Sequence, residues 1–356
     1  MFKRTLYTNL YVLLTGGPGV GKTDALRTIT DLWSSLPDLH VAPSSVSRAS
    51  LTDALMEASR SILRPMEGTF DKFNSLQVCA AEFGTFLSQY ETEFMSTLNH
   101  LYDCVEYKEK KRSMKEAIVL TNPHLNIIAA TTPAWLSTAL PENAWAEGFS
   151  SRLLLVFSQE RLKIDPWALS SRDEILESQL RSDLIEVHNL WGQLSFEPEV
   201  AETFKNWYMQ DCPPVPDHPK LEHYLPRRHI HFLKLCVIFS CARSNELIVR
   251  IEDYQQAMDL FLETEATMPD VFKSMKHGSD SNVIDETYNF VWQYYVKSSN
   301  KLMPEALIIR FIAERAPSYA VTKILDVMVS SNMLSVGNIA GDGGRPMYRP
   351  APRTAF

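Results

Sequence analysis

Residues 11–30, YVLLTGGPGVGKTDALRTIT, constrain the fold more than any other part of the chain. An apolar run over 10–15 has the pattern of a buried strand, and a helical pattern begins at residue 22. Between them lie Gly16, Gly17, Pro18, Gly19, Val20, Gly21, Lys22 and Thr23, in the spacing G-x-x-x-x-G-K-[ST]. Glycines there let backbone N–H groups point inward, and the helix N-terminus adds a dipole that favours an anion. A bare strand-to-helix turn has no need of a Lys-Thr pair. The stretch therefore predicts a nucleoside triphosphate site running from Gly16 to Asp24. Lys22 is expected at the β- and γ-phosphates, and the Thr23 hydroxyl on Mg²⁺.

Further strands are expected at 39–43, 75–81, 124–133 and 152–158, alternating with helical patterns. One of these patterns covers 50–63, with Ser50 as its N-cap. Short strands alternating with helices predict an α/β fold, a mainly parallel sheet covered on both faces. Beyond residue 160 the strand patterns stop and helical ones take over, which suggests a core over 1–160 and a helical lid over 161–275. The polar stretch KHGSDSN (276–282) reads as a linker. Three helical patterns follow (283–297, 303–315 and 318–331), then a strand, a Gly-Asp-Gly-Gly turn and a second strand. That is the outline of a winged helix over 283–356.

Composition narrows the class. Hydrophobic content of 45% and charged content of 22% are ordinary for a soluble globular chain. No apolar run reaches the roughly 18 residues that cross a bilayer. The N-terminal MFKRTLYTNL is too polar for a secretory signal, so a cytoplasmic protein is expected. The five cysteines form no C-x-x-C pair and read as thiols in a reducing compartment. His229 and His231 are two apart on a helical pattern and do not face each other, so no metal site is expected there.

A hydrolysing site also needs a carboxylate across from the phosphates. The strand LQVCAAEFG ends at Glu82, a candidate base and Mg²⁺ ligand, but Ala81 stands where an aspartate usually precedes it. Thr132, at the end of NIIAATTP, is a candidate for orienting the attacking water. Arg152, just before an apolar strand, is placed to reach the γ-phosphate of a neighbouring subunit. Arg227 and Arg228, which open a lid helix, are candidate sensors of the phosphates.

Taken in order, the glycine-rich turn, strand-end Glu, basic segment, strand-end polar residue, FSSR before an apolar strand and helical lid resemble AAA+ ATPases of the helicase type. LYDCVEYKEKKR, NIIAATTPAWL and GFSSRLLLVF are most similar to the phage and prophage replication group, which is related to superfamily 3 and minichromosome-maintenance motors. The resemblance covers about residues 8–270. It implies a ring, commonly hexameric, that threads DNA with ATP and Mg²⁺. Lys22, Thr23 and Glu82 would act within one chain and Arg152 on the next, with Thr132 standing where Asn is common. No primase-like segment precedes the glycine-rich turn, so priming is expected from a partner.

In the look-alikes a β-hairpin near the basic run points into the pore. Lys108, Lys110, Lys111, Arg112 and Lys115 are the corresponding candidates for contacting single-stranded DNA through phosphates. A formal charge of −8 is compatible with this, because one basic hairpin repeated around a ring concentrates positive charge locally. In the C-terminal module the third helix offers only Lys323, with Arg345, Arg349 and Arg353 in or after the wing. A base-reading helix normally carries more polar side chains, so DNA contact and protein docking both remain open there.

The expected function is an oligomeric, ATP-driven DNA helicase or translocase of replication. An AAA+ loader or regulator that assembles with ATP without unwinding DNA is the alternative, motivated by Ala81. A phosphotransferase acting on a small substrate is a third reading, disfavoured by the helical lid.

Overall fold

The computed structural model describes residues 5–43, 45–64, 68–87, 91–110, 117–140, 148–161, 174–276, 282–316, 318–337 and 346–351. They fall in two compact units, Met1–Phe272 and Lys273–Phe356, so the expected core and lid share the first unit. Among the described residues no helix is long and apolar enough to cross a membrane.

The first unit is α/β. Its main sheet contains β1 (Tyr11–Thr15), β2 (Ser59–Arg64), β3 (Thr69–Ala80), β6 (Pro123–Thr131) and β7 (Leu153–Phe157), in the order β2-β3-β6-β1-β7. β3, β6, β1 and β7 run parallel, while β2 is antiparallel to β3. Strands buried on both faces read as continuous apolar runs, and Tyr11, Leu13, Ile127 and Leu153 on one face and Ala130 and Leu154 on the other are accordingly buried. Tyr11 and Val12 point to opposite faces of the sheet. On the Tyr11 face, its hydroxyl donates to Leu98 O in α4 (Thr92–Tyr102) at 2.9 Å. On the other face, Thr30 of α1 (Lys22–Ser34) donates to Cys79 Sγ at 2.9 Å.

Two expectations at the sheet edge need correction. The stretch 39–43 makes only an isolated parallel bridge, Val41 to Gln77, and the edge strand is β2. The helix expected over 50–63 is α2 (Arg48–Glu57), and it stops before β2. Its N-cap is Ser47, with Ser50 three residues on completing a capping box. Leu51, Leu55, Ala58 and Ile62 keep helical spacing through both elements, so only pairing with Thr69–Asn74 shows where the helix ends.

β4 (Tyr107–Glu109) and β5 (Ile118–Leu120) form an antiparallel ribbon between β3 and β6 in the chain. The remainder of the unit is mostly helical: α6 (Glu174–Asn189), α7 (Pro198–Met209), α8 (Arg228–Arg243) and α9 (Ile251–Lys276), with α3 (Phe83–Phe86) and α5 (Pro133–Ala139) earlier in the chain. α7 goes unread in the sequence, although Pro198 at its first turn marks a helix start. Contrary to the expectation that strands end at residue 160, β8 (Ser195–Phe196) pairs in parallel with β9 (Ile248–Val249).

The second unit packs α10 (Asn282–Lys297), α11 (Glu305–Ala313) and α12 (Ser318–Ser330) against a sheet of order β10-β12-β11. These strands are β10 (Met303–Pro304), β11 (Leu334–Gly337) and β12 (Met347–Pro350). Val291, Ile308, Ile312 and Met328 form the centre of its core. Residues 303–304, expected as helix, pair with β12 instead. Pro304 disfavours helical backbone at Met303, and the helix starts only at Glu305.

A candidate phosphate-binding edge of the sheet

Register brings the sequence candidates to one edge. Ala80, Ala129, Leu13 and Leu155 lie level across the four parallel strands. The residues just beyond them, Glu82 after β3, Thr132 after β6, Gly16 after β1 and Ser158 after β7, therefore emerge together at the carboxyl ends. Ligands of open parallel sheets bind at such an edge.

The turn after β1 is shaped by its neighbours. Ser158 N–H donates to Thr15 O at 3.1 Å. A Cβ on Gly16 would lie 2.3 Å from Ser158 O, so only glycine fits. Gly19 (φ +79) and Gly21 (φ +84) occupy the left-handed region that favours glycine. A Cβ at Gly17 or Gly21 would meet nothing within 4 Å. Gly21 is the N-cap of α1 and supplies no side-chain cap, so the first-turn amides are not satisfied by a capping side chain.

Lys22 folds back over the turn. Its Nζ donates to Gly16 O at 2.9 Å and Gly17 O at 2.7 Å, and partial burial lowers its pKa. Thr23 and Asp24 are exposed, and Asp24 lies 3.9 Å from Arg27. Pro18 is exposed, and Val20 is half-buried against the Gly16 position.

Glu82 is the exposed N-cap residue of α3, in extended backbone (φ −131, ψ 114), and its side chain makes no capping bond. Its backbone is braced: Thr85 N–H and Oγ1 donate to Glu82 O at 3.0 and 2.8 Å. Thr132 caps α5, its Oγ1 accepting from Trp135 N–H at 3.3 Å. The threonine oxygen is thus occupied as an acceptor, while its O–H remains able to donate. Trp135 ties the two segments together. Its indole meets Phe83 edge-on at 5.5 Å, and a Cβ on Gly84 would lie 2.6 Å from Trp135 Nε1.

The donors at this edge suit Mg²⁺ with a phosphate ligand. A hydroxyl and a carboxylate are hard oxygen ligands, and Mg²⁺ keeps several waters and few protein ligands. The described residues hold no cluster of three His, Cys, Asp or Glu side chains that would form an all-protein cage.

The arginines lie elsewhere. Arg152 precedes Leu153, which is level with Tyr11 at the start of β1. That places it six residues, about 20 Å, from the glycine turn of its own chain. Its guanidinium is buried, donating to Asp103 Oδ2 at 2.9 Å and Gly148 O at 2.9 Å and lying over the Tyr102 ring. Its Nε is buried without a hydrogen-bond partner among the described residues. Arg227 donates to Asp103 Oδ1 at 3.3 Å, at the same end of the sheet. Burial pushes the Asp103 carboxyl up, but the two arginines outweigh it and hold its pKa below the usual value.

Arg228 is sequestered inside the helical part of the unit. Its Nε and Nη2 reach both oxygens of Glu265 at 2.6 and 2.5 Å, and Nη1 donates to Cys212 O. Arg227 and Arg228, the candidate phosphate sensors, thus both lie away from the glycine turn of their own chain. The reason is that α8 docks on the amino ends of the strands. There Lys234 Nζ donates to Asn9 O at 2.6 Å, and His231 Nε2 donates to Ser151 O at 2.9 Å.

The basic ribbon is present in part. Lys108 on β4 is exposed and pairs with Glu106 at 2.6 Å, and Lys110 is exposed. Lys111, Arg112 and Lys115 lie outside the described residues.

One residue escaped the sequence reading. The guanidinium of Arg161 stands beside Gly19, with Cζ and Nε 3.9 Å from where a Cβ on that glycine would be. The available signal was its position four residues after a strand parallel to β1. The chain matches no protein-family model and no curated protein.

Proposed function

We propose that this chain is a Mg²⁺-dependent ATPase of the AAA+ helicase type that assembles into an oligomer and acts on DNA. The observation that carries the reading is the convergence of Lys22, the uncapped first turn of α1, Glu82 and Thr132 on one carboxyl edge. On binding ATP, the Lys22 ammonium exchanges the Gly16 and Gly17 carbonyls for phosphate oxygens. The amides of the turn and of α1 take the remaining phosphate charge. Bound at Thr23, with Glu82 nearby, Mg²⁺ would neutralise developing negative charge. Glu82 accepts a proton from the attacking water, and the Thr132 hydroxyl holds that water in line. Ala81 leaves Glu82 as the carboxylate of this strand end.

Arg152 sits at the opposite end of the sheet, where it can serve only another copy. To do so its guanidinium would have to leave Asp103, which it shares with Arg227, and the Gly148 carbonyl. The exposed lysines of the β4–β5 ribbon are proposed contacts for single-stranded DNA, possible once several copies surround it. A primase is a fitting partner. The helices and sheet of the second unit fit a winged helix.

ATP turnover with and without single-stranded DNA, in wild type, Lys22→Ala and Glu82→Gln, tests the reading. Lys22→Ala should lose ATP binding, whereas Glu82→Gln should bind ATP and fail to turn it over. Turnover unaffected by both changes would refute it. The Asp103 hold on Arg152 favours a second reading, a loader that hydrolyses slowly; ATP-dependent assembly without strand separation would select it.

A further inference from the structure

We infer that Arg161 is a phosphate-binding residue acting within its own chain, a clamp on the open side of the glycine turn. The inference rests on the ATP-binding reading above and adds a residue to that site. β7 lies directly beside β1, in parallel and in register from Tyr11 with Leu153 to Thr15 with Phe157. The segment leaving β7 must therefore exit alongside the turn that leaves β1. Two contacts hold it there: the Ser158 N–H bond to Thr15 O, and Ser158 O pressed against Gly16. Glu160 N–H then donates to Ser158 Oγ at 3.2 Å, which turns the chain and delivers the exposed Arg161 over Gly19.

Other arginines are committed elsewhere. Arg152 and Arg227 bind Asp103, Arg228 binds Glu265, and Arg27 lies near Asp24. Lys22 is a point charge at the base of the turn, whereas a guanidinium presents a planar fork that can engage two phosphate oxygens together. Glycine at position 19 lets that fork approach the backbone without a side chain between them. A triphosphate seated in the turn would then be gripped from the α1 side by Lys22 and from the β7 side by Arg161.

The test is titration of a fluorescent ATP analogue, with Mg²⁺, into wild type, Arg161→Ala, Arg161→Lys and Lys22→Ala, with thermal melting of each protein alone. Arg161→Ala should melt like wild type and bind the nucleotide about 10- to 100-fold more weakly, the range expected for hydrogen bonds to a charged group. Arg161→Lys should recover only part of that loss, because an ammonium lacks the fork. If Lys22→Ala loses binding while Arg161→Ala binds like wild type, the clamp is overturned and the site stands. If wild type does not bind the nucleotide, the ATP-binding reading itself fails.

Discussion

The guanidinium of Arg152 lies 2.9 Å from the carboxylate of Asp103, at the end of the sheet away from the glycine turn. The same carboxylate receives Arg227 on its other oxygen. One acidic residue thus gathers two cations at the amino end of the sheet. Under the proposed ATPase reading, a phosphate reaching Arg152 would have to displace this carboxylate.

Replacing Asp103 by Ala should destabilise the first unit by about 1–3 kcal/mol. Arg152 is left buried and uncompensated, while the half-exposed position of Asp103 screens part of the loss. The folded-state pKa of Asp103 is lowered, so its contribution is present above the usual carboxylate value and lost as pH falls through the lowered one. Urea unfolding of wild type and variant at several pH values checks both statements. Equal midpoints at pH 7 would show that the pair contributes nothing to the fold.

Gly16→Ala and Gly17→Ala should separate packing from ligand access. The first places a methyl 2.3 Å from Ser158 O, a backbone atom in a parallel pair, and should cost about 2–3 kcal/mol. The second meets open space and should change stability by less than about 0.5 kcal/mol. Thermal melts without nucleotide give the comparison. Similar losses in both variants would contradict the packing of β7 against the turn.

Arg228→Met should be among the most destabilising changes in the first unit, about 3–5 kcal/mol, because Glu265 would remain buried without its partner. The double change Arg228→Met with Glu265→Leu should cost less than the two single changes added together. Denaturation midpoints for the four proteins complete the cycle. Additive losses would show that the two side chains do not act as a pair.

His231 should make the fold acid-sensitive. Burial holds its pKa at about 4, and donation from Nε2 to Ser151 O fixes the neutral tautomer. The unfolded chain binds a proton near pH 6.5 and the folded chain does not. Stability should therefore fall as pH drops from 6.5 toward 4, by up to about 1.4 kcal/mol per pH unit. His231→Gln should lose less over that interval. Parallel pH dependences would sink the assignment.

Lys234 should act on the alkaline side. Burial pulls its pKa down to about 7, beside Tyr102 and Asn9 and facing Cys104, Asp103, Arg152 and Arg227. Between pH 7 and about 10 the unfolded chain keeps a proton that the folded chain has released. Relative to Lys234→Met, wild type should gain up to about 1.4 kcal/mol per pH unit across that range. A difference that stays constant with pH would refute it.

The features legible in the sequence were local ones. The glycine turn declared itself because left-handed backbone at Gly19 and Gly21, and a missing Cβ at Gly16, demand that residue type. Glu82 and Thr132 were placed at strand ends by apolar runs that stop at polar residues. The boundary between α2 and β2 was hidden, because residues 51–62 keep helical spacing and only the partner strand distinguishes them.

Sequence alone thus determined the strand-turn-helix at Gly16–Thr23, the alternation that builds the parallel sheet and the strand-end positions of Glu82 and Thr132. These follow from backbone sterics and from periodicity over a few residues. Tertiary structure decided which cations lie beside the glycine turn. Arg228 is claimed by a carboxylate 37 residues away and Arg227 by one 124 residues away, while Arg161 is delivered to Gly19 by strand pairing. A charged side chain takes its role from whatever opposite charge and burial it meets, and those partners are set by the packing of distant segments.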